Sequence, residues 1–303
     1  MDDERTEAWW ARRAWALLSA VRERSPLVQR ITNLVSMDIA ANALTAAGAS
    51  PAMLHCLREI PDFTPRCDAV YINVGTLSED WLPSMRAAAS AGRPWVLDPV
   101  AAAASGFRME SCLELLVLRP AVVRGNASEI LALAVGNPSP PPGLPPPFPL
   151  PRRRRRGSPE RRAAAGDGGG EDLGVDSSHD SGEALQAAKV LAQSSGAVIA
   201  VSGALDFITD GEQVISASNA VAMMQKITAT GCAVTALIAA FVGADPSDAL
   251  DAAACALAIF GLAGEIGMES AKGPASLRMH LIDALYGLDE QTVTSGVKIA
   301  LVL

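Results

Sequence analysis

The sequence predicts an α/β protein with a mostly parallel central sheet, helices on both faces and a helical C-terminal part. Three observations carry this. Strand-like runs alternate with helical ones over residues 27–136 and again over 181–203, the pattern of repeated βαβ units. At least four of those strands finish in polar or glycine residues, at Asn73-Gly75-Thr76, Asp98, Arg124-Gly125-Asn126 and Ser202-Gly203. That edge is where open α/β sheets bind ligands. From Gly231 onward almost the whole chain has helical spacing.

Each element has a local reason. Residues 6–24 carry Trp, Ala and Leu at helical spacing, and Ser25-Pro26 stops them. LVQRITN is a strand running into a polar end, SMDIAANALTAAG a helix closed by Gly48, and SPAML a short strand. AVYINVGT is the next strand, followed by a helix over residues 79–91 with Gly92 after it. PWVLDP ends on Asp98 and AVVRGN on Asn126, where Asn126 and Glu129 make the capping-box start of a helix. GAVIAVSG ends at Ser202 and Gly203, and LDFITDGEQVIS alternates about Asp210-Gly211, a hairpin signal. Helices then run near residues 232–242, 247–269 and 275–286, and TVTSGVKIALVL reads as a strand or a tail.

Composition narrows the class. The 303 residues are 50% hydrophobic but 4% aromatic, so the core must be built from Ala, Val, Leu and Ile. A formal charge of −8 gives no electrostatic footprint for nucleic acid, and a small molecule is the expected partner. Five widely spaced cysteines without a CxxC pair argue against a disulfide framework or a zinc site. The acidic start MDDERTE is unlike a secretory or transit segment. Asp251 and Glu265 interrupt the most apolar stretch, residues 249–266, which reads as a buried helix rather than a membrane span. The expectation is a cytoplasmic protein with no membrane partner. Residues 137–172, rich in Pro, Gly and Arg, read as a disordered insertion. Their run of arginines at 152–156 could bind RNA or act as an import signal, although a tolerated surface insertion is the plainer reading.

The residues with chemical potential gather at the strand ends and in KITATGCAV. A Thr/Gly turn opening a helix presents free N–H groups at the positive end of the helix dipole, an anion site for a phosphoryl group. Thr228, Thr230 and Gly231 belong to that turn, and Cys232 falls in the first helical turn, where the dipole is expected to lower its thiol pKa. The structural alternative is an N-cap by Thr230 with Cys232 as a small buried hydrophobe. Asp98 and Glu129, at one sheet edge, could hold Mg²⁺ directly or through waters; their alternatives are loop capping and the capping box itself. Arg124 is a candidate phosphate clamp through its bidentate fork, or a surface ion pair. Lys272-Gly273-Pro274 reads first as a turn between helices and second as a loop touching nucleotide. Met53 and Met37 could line an apolar pocket or be core. His55, Asn33 and Asn42 are ambiguous.

In order along the chain, ITNLVSMDIAANALTAAGASPAM, INVGTL, VLDPV, RGNASEI, GVDSS, AVSGALDFITDG, KITATGCAVTALIAAF and KGPASL resemble the hydroxyethylthiazole kinase family of the ribokinase-like superfamily. The resemblance implies a three-layer α/β/α fold, with residues 1–303 as one domain that contains the 137–172 insertion. It implies ATP- and Mg²⁺-dependent phosphorylation of the primary alcohol of 4-methyl-5-(2-hydroxyethyl)thiazole, in thiamine biosynthesis. By motif, Met53, Ala229 and Asn33 fall at thiazole-binding positions; Arg124 and Ser202, with Asn126, Thr228 and Lys272 beside them, fall at nucleotide-binding ones. Asp98 and Glu129 fall where the Mg²⁺ and phosphate chemistry lies, and Cys232 where related kinases carry an aspartate base. The family resemblance also implies a homotrimer with sites between subunits. Two departures stand out: Ala101 to Ala104 replace the Gly common after DPV, and Ala229 replaces another Gly. The competing readings are a different ribokinase-like alcohol kinase, which usually keeps Asp at the position of Cys232, and a non-catalytic thiazole- or nucleotide-binding relative.

Overall fold

The computed structural model describes residues 5–137 and 181–302. Residues 138–172 of the expected insertion, its arginine run and the GVDSS motif lie outside them. Helix α1 (Glu7–Arg24) begins where the Thr6 side chain accepts the Trp9 N–H, and ends at Ser25 in a left-handed conformation. Strand β1 (Leu27–Ile31), helix α2 (Met37–Ala47) and strand β2 (Ser50–Met53) follow, with Gly48 closing α2 at φ 98°. Then come α3 (Ile60–Phe63), β3 (Ala69–Asn73), α4 (Leu82–Ala89), β4 (Trp95–Asp98), α5 (Gly106–Val117), β5 (Val122–Asn126) and α6 (Ala127–Gly136). The chain continues through α7 (Ser181–Ser195), β6 (Val198–Ser202), β7 (Asp206–Thr209) and β8 (Val214–Ala217). It finishes with α8 (Thr230–Ala244), α9 (Ala249–Ser270), α10 (Pro274–Gly287), α11 (Glu290–Gly296) and β9 (Ile299–Leu301).

The elements differ from the expectation at one helix, and the structure adds detail at two further places. The helix anticipated over residues 79–91 is only Leu82–Ala89, because Pro83 belongs in a first turn, where its missing N–H costs nothing. Helix α5 was not anticipated; Ser105, whose hydroxyl accepts the Arg108 N–H at 3.2 Å, caps it behind an alanine run that reads as loop. Of the stretch expected as a strand or a tail, Thr292 to Gly296 belong to α11, and Ile299–Leu301 form the strand β9, paired antiparallel with β8.

The strands lie in the order β2-β1-β3-β4-β5-β6-β7-β8-β9, parallel through β6 and antiparallel beyond it. Alternate side chains serve opposite faces, as the strand period of two requires. Ala69 and Tyr71 join the core beneath α1, α2, α8, α9 and α10, whereas Val70 and Ile72 join the core beneath α3 to α7. The fold is therefore three layers. Helix α9 is long and apolar enough to cross a membrane, yet 83% of its most apolar window is buried inside the fold. It is a core helix, buried nearly all round.

Candidate active site at the carboxyl edge of the sheet

The chain leaves β1 to one side for β2 and returns to the other side for β3. This reversal makes a crevice beyond the strand ends. Asn73 and Asp98 are register partners there, as are Asn126 and Ser202. Helix α8 points its first turn at the same edge and packs along β3 and β4.

Asp98 is fully buried, and its Oδ2 accepts from Tyr71 OH at 2.9 Å and from Asn73 Nδ2 at 2.8 Å. Its Oδ1 is buried without a hydrogen-bond partner. Burial raises this carboxyl above its ordinary range, opposed by the Arg124 charge and by the Tyr71 and Asn73 donors. Glu129 is spoken for: Oε1 accepts the Ala101 N–H at 2.8 Å and Oε2 the Asn126 N–H at 2.9 Å, while Asn126 Oδ1 accepts the Glu129 N–H at 2.9 Å. The capping box expected from the sequence is complete. Burial and then the Asp98 charge raise the Glu129 carboxyl as well. Among the described residues no group of three or more His, Cys, Asp and Glu is assembled for a metal. Asp98 Oδ1 is thus a carboxylate oxygen at this edge left without a hydrogen-bond partner, whereas both Glu129 oxygens are taken up by backbone N–H groups.

Cys232 corrects the expectation for its thiol. Its Sγ accepts from Asn73 Nδ2 at 3.3 Å and from Asn33 Nδ2 at 3.5 Å, yet the thiol is pushed up to about 11, not down. Burial is the main cause and the Asp98 charge the second; the two amides and Arg124 oppose them. The helix dipole does not win against desolvation. Asn33 is locked in that orientation because its Oδ1 accepts the N–H groups of Val35 and Ser36 at 3.0 and 2.8 Å.

At the mouth of α8 no side chain caps the helix, and the N-cap is Ala229 at φ 65°, not Thr230. The Thr230 hydroxyl instead donates to the carbonyls of Met224 and Ile227. Thr230 N–H reaches Ile227 O at 3.4 Å and Ala233 N–H reaches Ala229 O at 3.0 Å; Gly231 and Cys232, between them in the first turn, have no residue four back within the helix to accept their N–H groups. Arg124 lies against this turn, its guanidinium donating to Ser202 Oγ, with Nε buried and unpartnered. It is within electrostatic range of Asp98, Glu129, Asp206 and Cys232.

The remaining expected positions fall around this centre. Thr228 is exposed in the turn before α8. Lys272 is exposed in the turn between α9 and α10, its N–H bonded to Ser276 Oγ at 2.8 Å, which is the turn reading. Met53 ends the edge strand β2 and is 43% exposed. Met37 is half-buried, Asn42 donates to Asp38 on its own helix, and His55 accepts the Thr32 N–H at 3.2 Å while packing on Trp81. Tyr71, Asp206 and the amide role of Asn73 escaped the sequence reading. Asn73 was visible as a polar strand end; Tyr71, inside an apolar strand, had no signal.

The sequence profile of the hydroxyethylthiazole kinase family matches residues 18–139 and 162–291. A hydroxyethylthiazole kinase of Zea mays is 72% identical over 300 residues, covering 99% of this chain and 97% of that protein. The solved structure of a hydroxyethylthiazole kinase protein from Pyrococcus horikoshii OT3 superposes with a TM-score of 0.78 at 34% identity, covering 96% of this chain and 99% of that one. A ribokinase-like superfamily protein from Enterococcus faecalis V583 superposes with a TM-score of 0.53 at 12% identity, covering 86% of each chain, a likeness of fold.

Proposed function

The chain belongs to the hydroxyethylthiazole kinase family, and from that membership we propose that it transfers the γ-phosphoryl group of ATP to the primary alcohol of 4-methyl-5-(2-hydroxyethyl)thiazole, a step of thiamine biosynthesis and salvage. One observation carries the reading at the level of residues. The uncapped N-terminus of α8, the Arg124–Ser202 pair and the buried, unpartnered oxygen of Asp98 converge on one sheet edge beside a thiol held by two amides.

The chemistry divides along that edge. The first-turn N–H groups of Gly231 and Cys232 and the guanidinium of Arg124 supply fixed positive charge where charge spreads over the transferring phosphoryl oxygens. Mg²⁺, held by Asp98, would neutralise charge on the polyphosphate. Asn33, Asn73 and Cys232 form the acceptor side. With its thiol pushed up to about 11, Cys232 stays protonated near neutral pH and serves to orient the alcohol. A loose transition state needs no early proton removal; the alcohol proton passes to a phosphoryl oxygen or to solvent once the new bond to phosphorus has made that oxygen acidic, and ADP leaves as the P–O bond to it breaks.

Closure of the acceptor side by another subunit is supported by the exposure of Met53, Leu34, Val35 and Leu57 beside edge strand β2. We therefore propose a homotrimer with sites between subunits. A cytoplasmic setting is supported by five unpaired cysteines, Cys56 among them exposed.

The test is ATP-dependent phosphorylation of hydroxyethylthiazole by the full chain, with and without Mg²⁺, beside Asp98→Asn. Mg²⁺-dependent formation of the thiazole phosphate that Asp98→Asn abolishes is the expected result. Binding of thiazole without turnover would instead favour the non-catalytic relative.

A further inference from the structure

We infer that Arg108 is a positioning residue that ties the acceptor side of the site to its phosphate side. Resting on the kinase reading, this gives a role to a side chain that touches neither substrate. Arg108 stands in the first turn of α5, on the far side of the loops that follow β3 and β4. Its Nη1 donates to Val74 O and, at 3.1 Å, to Val100 O; its Nη2 donates to Gly75 O at 3.2 Å. One planar fork therefore spans two loops. Lysine could not reproduce it, because a single ammonium on a flexible stem lacks the rigid set of donors.

Both loops bear directly on the reacting groups. Gly75 donates its N–H to Asn73 Oδ1 at 2.8 Å, and a Cβ there would lie 2.7 Å from Asn33 Nδ2 and 2.9 Å from Asn73 Oδ1. The backbone that Arg108 grips is thus packed against the two amides that hold the Cys232 thiol. On the other loop, Val100 precedes Ala101, whose N–H is held by Glu129 and whose chain leads back to Asp98. Val74 N–H also reaches Asp98 O at 3.2 Å, which closes the link between the two strand ends. Releasing the guanidinium would leave the Val74–Asp98 bond as the tie between the strand ends, with the loop segments beyond it at Gly75 and Val100 free to shift relative to one another. A displacement of about 1 Å between acceptor and phosphate costs about a hundredfold in rate.

Two variants and two readouts test this. In Arg108→Lys and Arg108→Ala, amide hydrogen exchange at Gly75 and Ala101 is measured in the full chain, together with kcat and KM for both substrates. The expected result is faster exchange at both amides by tenfold or more, and a fall in kcat of about tenfold to a hundredfold with both KM values within about threefold. Added guanidinium ion should restore part of the activity of Arg108→Ala, which a general loss of stability would not allow. Faster exchange in one loop only, or an unchanged kcat in a wild type that turns over, overturns the inference. If both amides exchange faster while the wild-type chain phosphorylates no thiazole, the tie between loops stands and the kinase reading fails.

Discussion

Gly231 lies directly against the guanidinium of Arg124: a Cβ on residue 231 would stand 2.5 Å from Arg124 Nη1 and 3.2 Å from its Cζ. The obstacle is the end of a side chain, so the fold can accommodate alanine by moving Arg124. Alanine is otherwise favoured over glycine in a helix by about 1 kcal/mol. Gly231→Ala is therefore expected to leave the unfolding midpoint nearly unchanged and, on the proposed role of Arg124 as phosphate ligand, to lower kcat/KM by about a hundredfold through its displacement. Calorimetry and steady-state kinetics on the same preparation check it; activity that survives intact would mean that Arg124 does not need its present place.

The five cysteines should separate cleanly by reactivity. Cys56 is exposed, whereas burial pushes the thiols of Cys67 and Cys232 up to about 11 and that of Cys112 up to about 12, and raises Cys255 further. Near neutral pH, alkylation followed by mass spectrometry should mark Cys56 first. The Cys232 rate should rise about tenfold per pH unit, without levelling off until the pH nears its raised value. A plateau near neutral pH would restore Cys232 as a base. On the proposed role, in which the thiol orients rather than ionises, Cys232→Ser is expected to stay within about tenfold of wild type, whereas Cys232→Ala falls further.

The sequence makes the strand ends legible because β-alternation and the polar residues that terminate it are local signals. Asp98, Asn126, Glu129, Gly48 and the Asp210-Gly211 hairpin all stand where spacing and capping chemistry put them. What it hides is long-range. Arg108 reaches carbonyls about thirty residues earlier in the chain from a helix that an alanine run conceals. The direction of the Cys232 shift depends on how deeply α8 buries the sulfur beside Asp98, and no spacing records burial. Thr230 looks like an N-cap in sequence, but the tight turn from Met224 captures its hydroxyl and moves the cap to Ala229.

That turn, and the loop after β4, each hold an alanine in the left-handed region, Ala229 at φ 65° and Ala101 at φ 54°. An L residue with a Cβ loses about 1 kcal/mol or more there. Both are positions where the resemblance to the family leads one to expect glycine. Ala101→Gly and Ala229→Gly should each raise the unfolding free energy by about 0.5–1 kcal/mol, a net of relieved strain over the added freedom of the unfolded chain. Valine at either place should lower it by about 1–3 kcal/mol. Urea denaturation decides, and a glycine that destabilises would show that these turns adopt another conformation in solution.

Asp206 offers the clearest pH dependence. It is buried, accepts the Gly203 N–H at 2.9 Å, and its carboxyl is pushed by burial from 3.8 to about 6, against the pull of Arg124. Below pH 3.8 the folded and unfolded chains both keep the proton, and no penalty arises. As the pH rises toward about 6, the unfolded chain has released a proton that the folded chain still holds, so stability falls. Above that value both are ionised and the loss is constant, on the order of 2–3 kcal/mol. Asp206→Asn keeps the acceptor for Gly203 and cannot ionise. Its advantage over wild type should therefore be near zero in acid, grow with rising pH, and level off once the wild-type carboxyl has titrated. The same substitution removes a negative charge near Arg124 and should lower KM for ATP at neutral pH. Denaturation curves across that range check the first claim and kinetics the second. An advantage that is flat with pH would mean that the Asp206 carboxyl titrates at its ordinary value, solvated rather than buried beside Arg124.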